Sequence, residues 1–451
     1  MIRAMVMSLW RRASLRVVVA VAIAAIAVHE PMAARQAATP AASWQAEALA
    51  SFDVAWQTIN DSFYDPTFGG VDWAAAKAEL RPRVERAPSA DAARDVIREL
   101  IARLRRSHFA LISSSPGGDA LPGTAMVPAD IRVLDGEVVI ISVTAPAGGS
   151  APALRPGDRI VTIDAEPAET WAKAAKGLDP RAAALEIWRR AFRALHGPSQ
   201  SPATIEVRDP SGRTRRVTVP RVEETGQTVS LGNLPPLHVR VDAREEKSAA
   251  GRRVGVIAFN VWMPAVDAPF AAAIDRFRSA DGLVIDLRGN PGGLADMIRG
   301  ISGHLLAEPA VLGRMQMRDV RLEFKANPRL STPDGRRVQP FAGKVALIVD
   351  ELTASASECF AGALQSLGRV RVFGRTTMGQ ALPAATKALP NGDVLLYAVG
   401  DFVTSTGQLL EGRGVVPDEA APLVIGDLAA GRDQALRAAL AWVDRPVSAP
   451  F

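Results

Sequence analysis

The sequence predicts a multidomain α+β protein with a helical N-terminal region, a compact β-rich middle and an α/β core. Three observations carry this reading. Apolar residues recur at helical spacing from Trp44 to about Leu111. Short strands separated by turn residues run from about Pro122 to Arg221. From about Gly251 onward strands alternate with helices, the pattern of a parallel or mixed sheet. A length of 451 residues fits this division, since domains average roughly 150 residues.

Composition bounds the function. Hydrophobic residues make up 48% and charged residues 22% of the chain, which excludes a wholly disordered, collagen-like or multi-span membrane protein. Cys359 is the single cysteine, so a disulfide scaffold and a cysteine-based zinc cluster are excluded. The net charge of +5 comes from 53 basic and 48 acidic residues. The arginines are dispersed, which reads as solvated faces rather than a nucleic-acid footprint.

The N-terminus reads as an address. Arg3, Arg11, Arg12 and Arg16 precede an apolar stretch from Val17 to Val28, and Met32-Ala33-Ala34 follow. A basic head, a short apolar run and small residues at the exit are the layout of a secretory signal peptide, assigned here to residues 1–34. The apolar run is too short to span a bilayer of about 30 Å; an uncleaved anchor is the alternative. Residues 35–43, rich in Ala, Thr and Pro, read as a linker. The expected location is therefore outside the cytoplasm, periplasmic or secreted, with no membrane span after signal removal.

The helical region, residues 44–120, divides at Asp61-Ser62-Phe63-Tyr64-Asp65-Pro66. A second helix is expected near Asp72-Trp73 and a third near Ser89-Ala90, where Asp and Ser can cap. The third runs into Arg105-Arg106-Ser107-His108. In the β-rich part, residues 121–222, Asp135-Gly136 separates two apolar runs as a hairpin turn does. Pro156-Gly157-Asp158 precedes the strand Arg159–Ile163, and Asp209–Gly212 turns between two further strands. A helix is expected over Arg181–Leu195. The core, residues 223–430, has strands at Val254–Phe259, Gly282–Leu287, Lys344–Val349 and Val370–Phe373, with helices at Val266–Phe277 and Ala356–Ser366. Residues 431–451 form a C-terminal helix and tail.

Open α/β sheets bind ligands beyond the carboxyl ends of their strands, and two such ends stand out. Asp286-Leu287-Arg288-Gly289-Asn290-Pro291-Gly292-Gly293 can turn sharply and turn its N–H groups toward an anion, although an ordinary turn would look the same. Asp350 to Glu358 leads from a strand into a helix and contains Thr353, Ser355 and Ser357. A serine there presents its hydroxyl at a helix N-terminus that can stabilise a developing oxyanion; the plain alternative is helix capping. A serine nucleophile needs a base. Of the five histidines, His29 leaves with the signal peptide, so His108, His196, His238 and His304 remain. Spacing cannot say which of them meets Ser355, and the residues by themselves leave a serine hydrolase open.

The motifs nevertheless resemble a known family. Leu352-Thr353-Ala354-Ser355-Ala356-Ser357-Glu358, followed by Ala361–Gln365 and Gly374–Gly379, is similar to the nucleophile region of C-terminal processing (tail-specific) peptidases. The Asp286–Gly293 run matches the same family's glycine motif. Leu154–Asp164 resembles its PDZ domain, with Ala165 in place of a glycine. The resemblance covers about Trp44 to Ala430. It implies a PDZ-like middle domain, a crotonase-like ββα core and Ser355 as nucleophile. The tail-specific branch takes its base from a lysine at the position held here by Gln380, which cannot accept the serine proton. A second branch, similar to the tricorn protease core, uses a serine, a histidine from a Ser-His pair, a second serine and a glutamate. Ser107-His108 matches that pair, and Glu411, in Leu410–Asp418, matches the glutamate segment. By this resemblance His108 is the general base, Ser107 and Glu411 orient it, and the N–H of Ala356 with that of Gly292 or Gly293 forms the oxyanion hole. Arg288 is expected to bond the glycine loop or a nearby carboxylate, and Glu358 to complement the helix N-terminus.

The function expected from the resemblance is serine endopeptidase chemistry without metal or cofactor. Its partners are protein or peptide substrates, which the PDZ-like domain engages by strand addition. The carboxylate-binding loop is expected near Leu121–Val127. The alternative is a catalytically inactive binding protein on the same scaffold. Oligomeric state and physiological substrate are open at this stage.

Overall fold

The computed structural model describes residues 43–114, 121–144, 153–230 and 236–446. The expected signal peptide, all but the last residue of the expected linker, and residues 447–451 of the tail lie outside the described residues.

Three helices open the described chain, each started by the capping chemistry its sequence offers. Helix α1 spans Trp44–Ser62, with the Ser43 hydroxyl accepting from the Ala46 amide. Helix α2 spans Trp73–Glu85 and is capped by Asp72; α3 spans Ala90–Ala102 and is capped by Ser89. Each cap satisfies an amide that the helix cannot. Phe52, Ile59, Trp73, Leu80, Ile97 and Leu100 fill the space between the helices. The same apolar cluster takes in Leu382, Leu389, Leu395 and Ala398 from far along the chain. The region therefore shares its core with the α/β unit. Two further ties fix it. The strand Ala110–Ile112 pairs antiparallel with Val394–Ala398, Ala110 facing Leu396. The Arg94 guanidinium meets the fully buried Asp393 carboxylate at 2.8 Å. Ser107 and His108 lie between α3 and this strand, so both flanks of the pair are anchored.

The middle unit is an antiparallel sheet in the spatial order Ala129–Leu134, Glu137–Val143, Arg159–Ile163, Pro202–Arg208, Thr214–Pro220. Asp135 and Gly136 both take positive φ, as a two-residue hairpin turn requires. Helices α4, Ala168–Ala174, and α5, Pro180–Leu195, close one face over Ile131, Ile140, Ile163, Trp171 and Ile205. Ala129–Leu134 is the edge strand nearest α5. Ala165, at the position where the resemblance expects glycine, adopts φ +69° and so takes up the glycine conformation with a side chain attached.

The core sheet runs Val241–Lys247, Arg253–Phe259, Gly282–Asp286, Lys344–Val349, Arg371–Gly374, Glu419–Ala420, parallel except for the first strand. Its central strands are buried on both faces, which explains their unbroken apolar sequences. Helices α6, Asp267–Phe277, α7, Asp296–Gly303, and α8, Ala356–Ser366, cover one face. The short α9, Ile425–Ala429, leads to α10, Gln434–Asp444, which covers the other face with Ala435, Ala439 and Val443. The expected C-terminal helix is thus a layer of the core.

Some local expectations change. The helix expected from Val266 begins as a 3₁₀ turn, Pro264–Val266, before α6. His304 is the residue that ends α7. His196 forms a two-residue strand with Gly197 that pairs with Ala125–Met126. The Leu121–Val127 segment is correspondingly occupied: Ala125–Met126 also pairs with Val222–Glu223, and the Val127 amide donates to Leu195 O. A side chain at Gly123 would overlap the Gly197 carbonyl.

Candidate active site

Parallel strand order brings three carboxyl ends to one side of the core sheet. Arg253–Phe259 leads to Trp262, Gly282–Asp286 to the glycine loop, and Lys344–Val349 to Ser355. Ser355 sits where the last of these turns into α8, at φ +54° and ψ −119°. Such a conformation is costly for a residue with a side chain and persists only when its surroundings enforce it. Here they do. The Ser355 amide donates to Gln380 O at 2.8 Å and to Glu358 Oε2 at 3.1 Å. Glu358 is fully buried and also accepts from the Gly379 and Gln380 amides, at 2.7 and 2.9 Å, and from the Thr377 hydroxyl. Burial raises the Glu358 carboxyl pKa, against the pull of these donors. Glu358 therefore does more than complement a helix end: it staples the Thr377–Gln380 segment to the serine turn.

The amides that could receive an oxyanion are distinguishable. Gly292 lies against Ser355, since a Cβ on it would approach the Ser355 Cβ to 2.6 Å. Its N–H, however, donates to Asn290 Oδ1 at 3.0 Å. Asn290 is buried, and its own Nδ2 bonds to Phe259 O while its carbonyl accepts from the Ala354 amide. The amides of Gly293 and Ala356 have no acceptor among the described residues. Of the two expected glycines, Gly293 thus has the available donor.

His108 Nε2 stands 3.0 Å from Ser355 Oγ across 247 positions of sequence. On the other side of the ring, Nδ1 is 2.8 Å from Ser107 Oγ, and Ser107 Oγ is 2.9 Å from Glu411 Oε2. Glu411 Oε1 accepts from the Ser107 amide and Oε2 from the Ala381 amide. This chain assigns the tautomer. A carboxylate only accepts, so the one Ser107 hydroxyl proton goes to Glu411. Ser107 Oγ must then accept, which places the imidazole proton on Nδ1 and leaves the Nε2 lone pair facing the Ser355 hydroxyl. Burial lowers the His108 pKa from 6.5 to about 4, so the ring is neutral at neutral pH.

The remaining expected residues take other places. Gln380 meets Ser355 through its backbone. Arg288 is held by Asp286 and by Asp433, the latter at 2.7 Å, which matches the expected carboxylate partner. His196 is buried with Nδ1 2.8 Å from Phe192 O, and His304 packs beside Arg329 at 3.3 Å. Sequence reasoning missed Asn290 and Asp350 as supports of the glycine loop. Asp350 Oδ1 accepts from the Gly289 and Leu352 amides, and Oδ2 from Arg132 of the β-rich unit at 2.6 Å. Burial would raise the Asp350 pKa, but Arg132 and the Gly289 amide hold it below the ordinary value. A cavity of about 760 Å³ lies between the Ala129–Leu134 edge strand, α5 and the core, with Trp188, Phe192, Leu237 and Leu352 in its walls.

Comparison with known proteins agrees with this architecture. Residues 253–421 match peptidase family S41, and residues 45–102 match the tricorn protease C1 domain. The carboxyl-terminal-processing protease of Picosynechococcus sp. is 25% identical over 383 residues, 82% of each chain. The carboxy-terminal processing protease CtpB of Bacillus subtilis is 26% identical over 295 residues, 64% of this chain and 54% of that one. The photosystem II D1 C-terminal processing protease structure superposes with a TM-score of 0.54 at 21% identity, over 83% of this chain and 93% of that one. Mature CPAF complexed with lactacystin superposes with a TM-score of 0.60 at 16% identity, over 89% and 98%; these structures share the fold. The protein is a serine-type peptidase, a hydrolase. Together these matches support a C-terminal processing peptidase family for the chain.

Proposed function

We propose that the protein is an exported serine endopeptidase that works through Ser355, His108, Ser107 and Glu411. The observation that carries this reading is the 3.0 Å approach of His108 Nε2 to Ser355 Oγ, with the lone pair on that nitrogen. Ser355 Oγ attacks the scissile carbonyl carbon while its proton passes to His108 Nε2. The resulting imidazolium keeps its Nδ1 proton on Ser107, which is hydrogen-bonded to Glu411, so the positive charge faces a carboxylate through one hydroxyl. The carbonyl oxygen, now an oxyanion, takes the amides of Ala356 and Gly293. Collapse expels the amine, which collects the proton from His108 Nε2 and leaves an acyl ester on Ser355. Water, deprotonated by the same nitrogen, then releases the acid. No metal or cofactor enters this sequence.

In the same reading the β-rich unit is PDZ-like and adds a substrate segment to the sheet edge formed by Ala129–Leu134, beside α5, while the core is of the crotonase-like ββα kind. The cavity at that edge supports the assignment. Export rests on the basic and apolar N-terminal sequence; among the described residues no helix is long and apolar enough to cross a membrane. The hydrogen-bonded chain from Ser355 through His108 and Ser107 to Glu411 favours this reading over an inactive binder on the same scaffold.

A fluorophosphonate probe and an unfolded protein substrate test the proposal together. Labelling and hydrolysis are expected in the unaltered chain, and both are expected to vanish in Ser355→Ala. Retained hydrolysis in a folded Ser355→Ala protein overturns the assignment.

A further inference from the structure

We infer that Trp262 is a positioning residue for both oxyanion donors, and that it acts through the indole hydrogen bond to Ser357. The inference rests on the reading of Ser355 as the nucleophile and deepens it.

Trp262 follows the Arg253–Phe259 strand and is fully buried. Its backbone brackets Gly293: the Trp262 amide donates to Gly292 O, and Trp262 O accepts from the Leu294 amide, both at 2.8 Å. In this parallel bridge the bonds go to the residues on either side of Gly293, so the Gly293 N–H is left out of the pairing. The fit is close enough to exclude any side chain there, since a Cβ on Gly293 would come within 2.4 Å of Trp262 O. The same residue reaches the second donor through its side chain. Indole Nε1 donates to Ser357 Oγ at 2.7 Å, and Ser357, also fully buried, follows Ala356 directly in the first turn of α8. The ring further packs on Phe360 of α8, with centroids 5.1 Å apart, and edge-on against Phe259, at 4.9 Å.

One rigid side chain therefore connects the loop that offers the Gly293 amide to the helix turn that offers the Ala356 amide. Two donors act on one oxyanion only if their separation is fixed, and a misplacement of about 1 Å at a reacting centre can cost a hundredfold in rate. Among the described residues the Ser357 hydroxyl has no other side-chain partner. The second serine of the Ser-Ala-Ser motif thus acquires a role distinct from that of the first.

The test compares Trp262→Phe, Ser357→Ala and the double variant, with kcat expressed per site titrated to completion by a fluorophosphonate. Each single variant is expected to lower kcat roughly tenfold, since the donors shift but remain, with KM within about twofold. Affinity for a peptide aldehyde, whose adduct carries the oxyanion, should fall in the same proportion. The double variant should be no worse than the worse single one, because both remove the same bond. An unchanged kcat per titrated site, or losses that multiply in the double variant, overturns the inference. A merely structural role would lower the titratable fraction or the melting temperature and leave kcat per site alone. Activity surviving in Ser355→Ala would instead remove the reading on which the inference stands, so the two failures are distinguishable.

Discussion

Ser107 gives its only hydroxyl proton to Glu411, at 2.9 Å, and this single bond dictates the tautomer of the neighbouring imidazole. Both carboxylate oxygens of Glu411 accept hydrogen bonds. Oε1 faces the Ser107 amide, and Oε2 faces the Ser107 hydroxyl and the Ala381 amide. In Glu411→Gln either orientation of the carboxamide sets an NH₂ against an N–H. The easiest relief reverses the Ser107 hydroxyl and moves the imidazole proton to Nε2. Steady-state kinetics should show kcat reduced by roughly 10²–10⁴, the range seen when a triad histidine loses its orienting acid. A loss under about tenfold would mean that the proton chain does not govern the reaction.

Ser355 and His108 act as a unit in the proposed mechanism, so their effects should not add. Ser355→Ala and His108→Ala are each expected to lower peptide hydrolysis by several orders of magnitude, and the double variant should be about as slow as either alone. Gln380→Ala should change the rate far less, because the contacts of Gln380 to Ser355 and Glu358 are made by its backbone. Equal losses in Gln380→Ala and Ser355→Ala would contradict the assignment of the base.

The pH profile carries a defined sign. His108 must be unprotonated to accept the serine proton, and burial places its pKa at about 4. The acid limb of kcat/KM, which reports the free enzyme, should therefore fall near pH 4 rather than near the ordinary histidine value of 6.5. Stability follows the same direction. His108 and His304 both sit at about 4 in the folded chain against 6.5 ordinarily, chiefly through burial. Between these values the unfolded chain binds more protons, so their contribution is fully present above pH 6.5 and is lost as pH falls toward 4. Melting temperatures of His304→Gln should decline less steeply across that window than those of the parent.

The Arg132–Asp350 pair spans two units with both side chains nearly inaccessible, at 8% and 4% exposure. Removing the cation alone leaves a buried carboxylate that still holds the Gly289 and Leu352 amides. Arg132→Met should lower the unfolding free energy by about 3–5 kcal/mol, as deletion of one partner of a buried pair does. Replacing Asp350 by Leu in the same chain should restore part of that loss. Urea titration of the two variants measures it; equal stability of Arg132→Met and parent would show that the pair is solvated.

Much of the scaffold was legible one residue at a time, because its signals are local. Ser43, Asp72 and Ser89 start helices by bonding amides a few residues away. Asp135-Gly136 turns a hairpin within its own dihedral angles. The unbroken apolar runs of the core follow from burial on both sheet faces. Where local signals compete with tertiary packing they mislead: Leu121–Val127 looks like an open loop, yet its backbone is taken up by Leu195, His196–Gly197 and Val222–Glu223.

The motifs Ser107-His108, Asp286–Gly293, Leu352–Glu358 and Glu411 were likewise present in the sequence, with the family they resemble. Their mutual geometry was not. A hydrogen bond reaches about 3 Å, whereas His108 and Ser355 are 247 positions apart, and Ser107 and Glu411 304. The pairing of Ala110–Ile112 with Val394–Ala398, the shared apolar core and the Arg94–Asp393 contact bring the helical region onto the α/β unit. In the proposed mechanism the choice between Gly292 and Gly293 also rests on tertiary contacts, because one side chain, that of Asn290, takes up the Gly292 amide. Residue types set which groups could react; long-range packing set which of them meet.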